Sequence, residues 1–378
     1  MKLAATRLTG LGTTIFTEMT LLAQRTGAIN LGQGFPDQGG PPEVVEAAAA
    51  ALRAGHNQYA PLAGVPELRA AVLEHQRRHY GLEPEDVLVT FGATEAIAAA
   101  LLALCEPGDE VIVIEPYYDS YAACIAFAGA RRRPVTLRAP GFALDPGELR
   151  AAVRAAGGAA RVLLLNSPHN PTGRVLTAQE LSAVAEVCVE HDLVCVSDEV
   201  YEHLVYEGRH IPVATLPGMA SRTLTISSVG KSFSFTGWKV GWCSGPRELV
   251  AAARTVKQYL TFAGGTPLQH AAATALGLGD EHLRALREQL RANRDTLAAA
   301  IAAAGWRPLA AAGTYFINAD VGEDAAGFCA ALPQRCGVVA IPTSAFYDDR
   351  EAGRSLVRFA FCKRPEVIAE AASRLAGG

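Results

Sequence analysis

The stretch Ser227-Ser228-Val229-Gly230-Lys231-Ser232-Phe233-Ser234-Phe235-Thr236-Gly237-Trp238-Lys239-Val240-Gly241-Trp242 sets one lysine among glycine, serine and aromatic residues. The run before it, Thr223-Leu224-Thr225-Ile226-Ser227-Ser228, alternates β-branched and small side chains in the manner of a strand end. Lys231 is therefore either an ordinary surface lysine in a Gly/Ser loop or an amine at a strand tip, where α/β sheets bind ligands. Phe233, Phe235 and Trp238 favour the second reading, because they can desolvate it. Desolvation lowers an ammonium pKa and leaves the neutral amine that condenses with an aldehyde to an imine.

Outward from this stretch, short Val/Ile/Leu runs alternate with Ala-rich helical runs. Strands are expected at 87–90, 111–114, 132–137, 161–165, 193–197, 223–227 and 240–243, and helices at 93–104, 177–190, 247–258 and 267–278. That alternation is how parallel strands joined by helical crossovers read, so the fold class is α/β, with a mostly parallel seven-stranded sheet between helices. Beyond Asp280 the pattern changes to one long polar and Ala-rich helix to about 304, then short strands near 315–319, 338–341 and 356–361. This predicts a smaller α+β domain over 280–378, a large domain over 41–279, and an N-terminal segment, 1–40, joining the small domain. Gly157-Gly158 and Gly264-Gly265 read as loops, and no internal repeat is visible.

Composition narrows the function classes. At 378 residues, 50% hydrophobic and 19% charged, the chain is globular and large enough for a main core with a companion. A net charge of -4 and a single short basic run, Arg131-Arg132-Arg133, expected as a solvated strand edge, speak against nucleic acid as a partner. The eight cysteines lie mostly inside apolar runs, with no CxxC and no histidine spacing that suggests zinc, so they are expected as buried free thiols without a metal. Lys2 and Arg7 precede no apolar run of signal-peptide length, and no run approaches a membrane span; a cytoplasmic protein is expected.

Four further places carry chemistry, each with two readings. Thr90-Phe91-Gly92-Ala93-Thr94-Glu95 is a strand entering a helix through small residues, either structurally capped or holding a phosphate on Ala93 and Thr94. Asn166-Ser167-Pro168-His169-Asn170-Pro171-Thr172-Gly173 is a turn, or a turn that also offers Asn170 to a ring oxygen or a carboxylate, with a cis Asn170–Pro171 bond. Asp198 in Ser197-Asp198-Glu199-Val200-Tyr201 is a helix N-cap, or the partner of a protonated pyridine nitrogen with Tyr201 near the ring hydroxyl. Arg358 in Leu356-Val357-Arg358-Phe359-Ala360-Phe361 points to solvent, or clamps an α-carboxylate.

Together these residues resemble the class I/II aminotransferases of fold type I, which depend on pyridoxal 5'-phosphate (PLP), from Asn30-Leu31-Gly32-Gln33-Gly34-Phe35-Pro36-Asp37 to Arg358. Asn57-Gln58-Tyr59-Ala60-Pro61, Asp198-Glu199-Val200-Tyr201-Glu202-His203 and Thr236-Gly237-Trp238-Lys239-Val240-Gly241-Trp242 are similar to the kynurenine, glutamine and methionine aminotransferase group. Gly92-Ala93-Thr94-Glu95-Ala96-Ile97, Ser167-Pro168-His169-Asn170-Pro171-Thr172-Gly173 and Val357-Arg358-Phe359-Ala360-Phe361-Cys362-Lys363-Arg364 look closest to actinobacterial N-succinyldiaminopimelate aminotransferases.

The resemblance implies that Lys231 holds PLP as an imine and moves the substrate Cα proton. Asp198 would pair with the pyridinium nitrogen, Tyr201 and Asn170 would bond the ring oxygen, and Tyr118 would stack on the ring. Ala93, Thr94, Ser228 and Lys239 would hold phosphate, with Tyr59 reaching in from a second subunit. Arg358, Asn170 and the Gly34 backbone would bind the substrate carboxylate, and Phe262 of the neighbouring subunit would line the side-chain pocket. A homodimer with shared sites is implied.

Lys239 stands where many aspartate-type members carry arginine, and 257–265 offers no arginine for a distal carboxylate; this favours apolar, aromatic, thioether or amide-bearing substrates. The implied reaction is ping-pong transfer of an amino group from an L-amino acid to a 2-oxo acid, most specifically from N-succinyl-L,L-diaminopimelate to 2-oxoglutarate. Kynurenine-, methionine- or glutamine-type transfer and cysteine-conjugate β-elimination use the same parts. A PLP-sensing regulator lacks room for a DNA-binding module before residue 30, and no GxGxxG follows an early strand to suggest a dinucleotide enzyme.

Overall fold

The computed structural model describes residues 5–377. Lys2 lies outside them, as do the outermost residues of the expected terminal segments. Helix α1 (Ile15–Thr26), strand β1 (Ile29–Asn30), α2 (Pro42–Arg53) and α3 (Pro66–Tyr80) come first. The alternation follows: β2 (Asp86–Phe91), α4 (Gly92–Leu104), β3 (Glu110–Glu115), α5 (Asp119–Phe127), β4 (Arg131–Thr136), α6 (Pro146–Ala156), β5 (Ala160–Asn166), α7 (Ala178–Glu190), β6 (Val194–Asp198) and β7 (Thr223–Ser228). The single turn α8 (Val229–Ser232) leads to β8 (Val240–Gly245), α9 (Arg247–Leu260) and α10 (Thr266–Leu276). The chain ends through α11 (Asp280–Ala303), β9 (Arg307–Pro308), β10 (Phe316–Asp320), α12 (Ala325–Cys336), β11 (Val338–Val339), β12 (Ile341–Pro342), β13 (Leu356–Ala360) and α13 (Pro365–Gly377).

Among the described residues the main sheet has seven strands in the order β2-β8-β7-β6-β5-β3-β4. Its neighbours run parallel except at β8, which is antiparallel to both β2 and β7. The inner strands are apolar on both faces because helices cover both. Val162 and Leu164 of β5 face Ile97, Leu101 and Val250, while Leu163 and Leu165 face Leu149, Val153, Val184 and Val187. Each such side chain contributes about 1.5–3 kcal/mol on burial.

A second sheet, β12-β13-β10-β9, is antiparallel and packs with α11 and α13 around Leu290, Leu297, Ile317, Phe359 and Leu375. β1 pairs in parallel with β11, and α1 lies against α12, so the N-terminal segment joins this part.

Two local expectations change. The expected strand over 338–341 is two strands, β11 beside β1 and β12 beside β13, because the chain changes partner at Ala340. Helices α1, α2, α3, α5, α6, α12 and α13, and the single turn α8, are not among those expected. For α6 the signal was present, since Asp145 accepts from Gly147 N–H at 2.7 Å and Pro146 opens the first turn; α5, Asp-Ser-Tyr-Ala-Ala-Cys-Ile-Ala-Phe, has no clear apolar stripe.

Arg131, Arg132 and Arg133 lie on β4, an edge strand, with Arg133 paired to Glu110 and Arg132 to Asp348. All eight cysteines are free thiols. No described helix is long and apolar enough to cross a membrane.

Candidate active site

The strand tips of the main sheet open on a cavity of about 1330 Å³. Asp198 closes β6, where Val194-Cys195-Val196 carries the chain through the core. Its Oδ2 accepts from the Tyr121 hydroxyl at 2.6 Å and its Oδ1 from the Val200 N–H at 3.3 Å. The side chain therefore does some turn-capping, but buried with a phenol on its far oxygen it does more than cap. Burial pushes its carboxyl up to about 6, against the pull of those two bonds and of Lys231.

Lys231 rises from α8 into the same cavity, with Nζ 5.7 Å and 5.6 Å from the ring centres of Tyr201 and Tyr315. Desolvation pushes its amine down to about 8; Cys362 and Asp198 act the other way, while Lys239 and Arg358 add to the fall. Tyr201 is buried, and its ring meets that of Tyr315 edge-on at 5.2 Å. Tyr118, just before α5, also lines the cavity, edge-on to Tyr121 at 5.8 Å.

Helix α4 begins at Gly92 without a side-chain cap, so the N–H groups of its first turn are left for another acceptor. Gly92 has φ +72°, and a Cβ there would lie 3.3 Å from Lys239 Nζ, which places that ammonium at the helix start. Ala93, Thr94 and Ser228 line the cavity here. Gly241 of β8 lets the backbone approach: a Cβ on it would meet Gly92 and Ala93 main-chain atoms at 2.7–2.8 Å. Uncapped N–H groups, the positive end of a helix and an ammonium together make an anion cradle.

Arg358 is fully buried on β13, which is covered on both faces; the solvent-pointing reading does not hold. Its guanidinium donates to Asn170 Oδ1 at 2.8 Å and to the Gly32 carbonyl at 2.9 Å, and lies 4.0 Å from the ring centre of Phe316 and 4.7 Å from that of Phe346. Its Nε has no partner, and no carboxylate pairs with it among the described residues. Burial lowers its pKa to about 10. A buried cation in this state is unfavourable unless an anion joins it, and the cavity is where one can.

Asn170 follows from a turn whose Asn170–Pro171 bond is cis, and its N–H donates to Asn166 Oδ1 at 2.8 Å. Gly34 sits at the mouth, its carbonyl accepting from the Tyr315 hydroxyl at 2.5 Å, with no room for a Cβ beside Phe316. Thus Gly34, Ala93, Thr94, Tyr118, Asn170, Asp198, Tyr201, Ser228, Lys231, Lys239 and Arg358 all share one cavity.

Tyr59 and Phe262 do not line it. They meet each other edge-on at 5.4 Å on the surface, 79% and 41% exposed.

Four neighbours went unread in the sequence: Tyr121 on Asp198, Asn166 bridging Asn170 to the Asp198 carbonyl, and Tyr315 with Phe316 around Lys231 and Arg358. Tyr121 could have been found, since it lies three residues from Tyr118 at helical spacing. Tyr315 and Phe316 belong to a distant segment with no local mark of their role.

The model of the family "Aminotransferase class I and II" matches residues 26–375. A probable N-succinyldiaminopimelate aminotransferase DapC of Mycobacterium tuberculosis is 51% identical over 391 residues, covering 99% of this chain and 98% of that protein. A solved structure of N-succinyldiaminopimelate aminotransferase from Mycobacterium tuberculosis superposes with a TM-score of 0.96 at 52% identity, covering 99% of each chain. The methionine aminotransferase of Escherichia coli K12 is 41% identical over 377 residues, 98% of this chain and 97% of that one.

Proposed function

We propose that this chain, which belongs to the class I and II aminotransferase family, moves the amino group of N-succinyl-L,L-diaminopimelate to 2-oxoglutarate with PLP held at Lys231. The 51% identity to the mycobacterial enzyme over almost the whole of both chains carries the donor. The cavity supports it too. No arginine stood out in the sequence for a distal carboxylate, yet Arg350 is on the cavity wall beside Arg132, which is held by Asp348, so the wall carries cationic groups an extended acidic donor can meet.

The residues fit PLP on their own geometry. An amine lowered to about 8 suits an aldehyde, an uncapped helix start with Lys239 suits a phosphate, and a buried carboxylate at about 6 suits a cationic ring nitrogen. Ala93, Thr94, Ser228 and Lys239 would hold the phosphate, Asp198 the ring nitrogen, Tyr201 and Asn170 the ring oxygen, and Tyr118 the ring face. When bound, PLP supplies an electron sink for the charge left at the substrate Cα.

The chain's groups then divide the work. The Arg358 guanidinium, already aimed by Asn170 and Gly32, binds the α-carboxylate and gains the anion its burial lacks. The Lys231 Nζ, neutral in a large fraction near pH 8, takes the proton from Cα and carries it as general base and then acid. A cation beside Asp198 keeps its carboxylate ionised, and the Tyr121 hydroxyl fixes its orientation. Two copies pair over the face bearing Tyr59 and Phe262, so that each completes the other's site.

The test is a half-reaction screen of the PLP-loaded protein, in which candidate donors are added singly and loss of the cofactor's visible absorbance is followed. N-succinyl-L,L-diaminopimelate should react with kcat/KM at least about tenfold above methionine or kynurenine, a difference of about 1.4 kcal/mol, and Lys231→Ala should not react at all. A higher value for methionine would overturn the donor assignment.

A further inference from the structure

Helix α3 carries His75 and His79 four residues apart, on one face. The turn after β6 brings His203 against them, from 128 residues beyond His75, so linear spacing could not reveal the group. His75 Nε2 and His203 Nε2 are 2.7 Å apart, and the three ring centres are 4.6, 4.8 and 4.9 Å from one another. One nitrogen from each ring lies within 4.8 Å of the other two. Asp280, the first residue of α11, has its Oδ1 3.8 Å from His79 Nε2.

We propose that His75, His79, His203 and Asp280 bind one divalent transition-metal ion of the zinc class, tying α3 and the start of α11 to the turn that carries Tyr201. A tetrahedral ion with ligands at about 2.0–2.1 Å holds its donor atoms about 3.3 Å apart. The observed separations, from 2.7 Å to within 4.8 Å, fall on both sides of that value, so shifts of about 1.5 Å or less bring the donors to it. Neutral imidazoles suit zinc, nickel and copper. Desolvation keeps these rings neutral, with His75 near 4 and His79 and His203 below the usual range. His75 Nδ1 is buried with no partner among the described residues, so the ring can turn and offer this nitrogen to the ion without giving up a bond there. Glu202, also buried, adds negative charge beside His79. One group competes: the Arg78 guanidinium donates to His79 Nε2 at 3.0 Å, and it must move out towards Asp280 solvent-side, where it already stands 3.5 Å from Oδ1.

The PLP-loaded protein, freed of metal with a chelator, is titrated with Zn²⁺ alone. One ion per chain should bind with Kd of about 1 µM or tighter, and the zinc-edge fine structure should show three imidazole nitrogens at about 2.0–2.1 Å. Saturating Zn²⁺ should raise Tm by about 3 °C or more. His75→Gln and His203→Gln should each weaken binding by at least about 100-fold, no less than the loss of a group that only orients a ligand, while keeping the cofactor absorbance that reports a folded, loaded enzyme. Arg78→Gln should tighten it several-fold, which a purely structural histidine cluster would not do. Binding weaker than about 100 µM, or binding that His75→Gln and His203→Gln leave unchanged, overturns the proposal. So does an edge spectrum without imidazole. Since Zn²⁺ binding needs no turnover, the outcome is independent of the donor assignment.

Discussion

Burial makes the Asp198 carboxylate costly for the protein to keep charged. Its folded pKa, about 6, lies above that of an exposed aspartate, so the side chain favours folding at low pH and loses that contribution as pH rises through 6. Asp198→Asn keeps the shape and the Tyr121 contact but removes the charge. In the PLP-free protein it should raise stability at pH 7 by up to about 3 kcal/mol, with the gain fading towards pH 4; urea melts of both proteins at the two pH values measure it. The same substitution should lower turnover by at least about 100-fold, the scale of a lost electrostatic contact at the reacting group. Equal stability of the two proteins at pH 7 would refute the buried-charge account. The sequence singled out Lys231, Asn170 and Arg358, each beside a plain loop, turn or strand reading, and the fold brings the three to one cavity. Tyr121, Asn166 and Phe316 were not, since a tyrosine, an asparagine and a phenylalanine in those settings are ordinary, and their roles exist only across the fold.

At the scale of elements, the junction of β8 with the start of α4 decides whether the anion cradle exists. Gly241 pairs with Thr90 on β2 and lies against the Gly92 and Ala93 backbone, where a methyl group has no space and the atoms it meets are main chain. Gly241→Ala should therefore cost about 1–3 kcal/mol of stability and weaken PLP binding about tenfold or more, as titration of the PLP-free protein would show. Gly158→Ala, in an exposed turn with nothing near the added methyl, is the control and should change neither. An unaltered PLP affinity in Gly241→Ala would mean that the phosphate is held elsewhere. The inner strands β3, β5 and β6 could be read from their apolar runs, because burial on both faces removes the alternation that confuses strand with surface. What could not be read was direction. Nothing local distinguishes β8, which runs antiparallel, from its parallel neighbours, and the split of β11 from β12 depends on β1, a partner more than three hundred residues away.

For the whole molecule, the surface that bears Tyr59 and Phe262 continues into Tyr259 and Leu260, 81% and 54% exposed. The Lys257 ammonium is buried and donates to the carbonyls of Leu62 and Phe262, so the loop presenting these apolar groups is fastened from beneath. A pinned and exposed apolar patch marks a contact surface. Tyr259→Asp with Leu260→Asp should give a monomer in sedimentation, with activity reduced at least about tenfold although every cavity residue is unchanged, the scale of about 1.4 kcal/mol lost at the site. A fully active monomer would count against shared sites.

The reversal of β8 has one more effect. Because β8 returns beside β7, Lys231 and Lys239 lie in a single short connection, Val229–Lys239, whose flanking strands are neighbours in the same sheet, paired up to Ser228 and Gly241. The connection acts as a gauge of fixed length between the amine and the helix start that faces it. One inserted residue could shift one end by up to about 3.3–3.6 Å, more than a hydrogen bond tolerates, so sequence change within the gauge is admissible and change in its length is not.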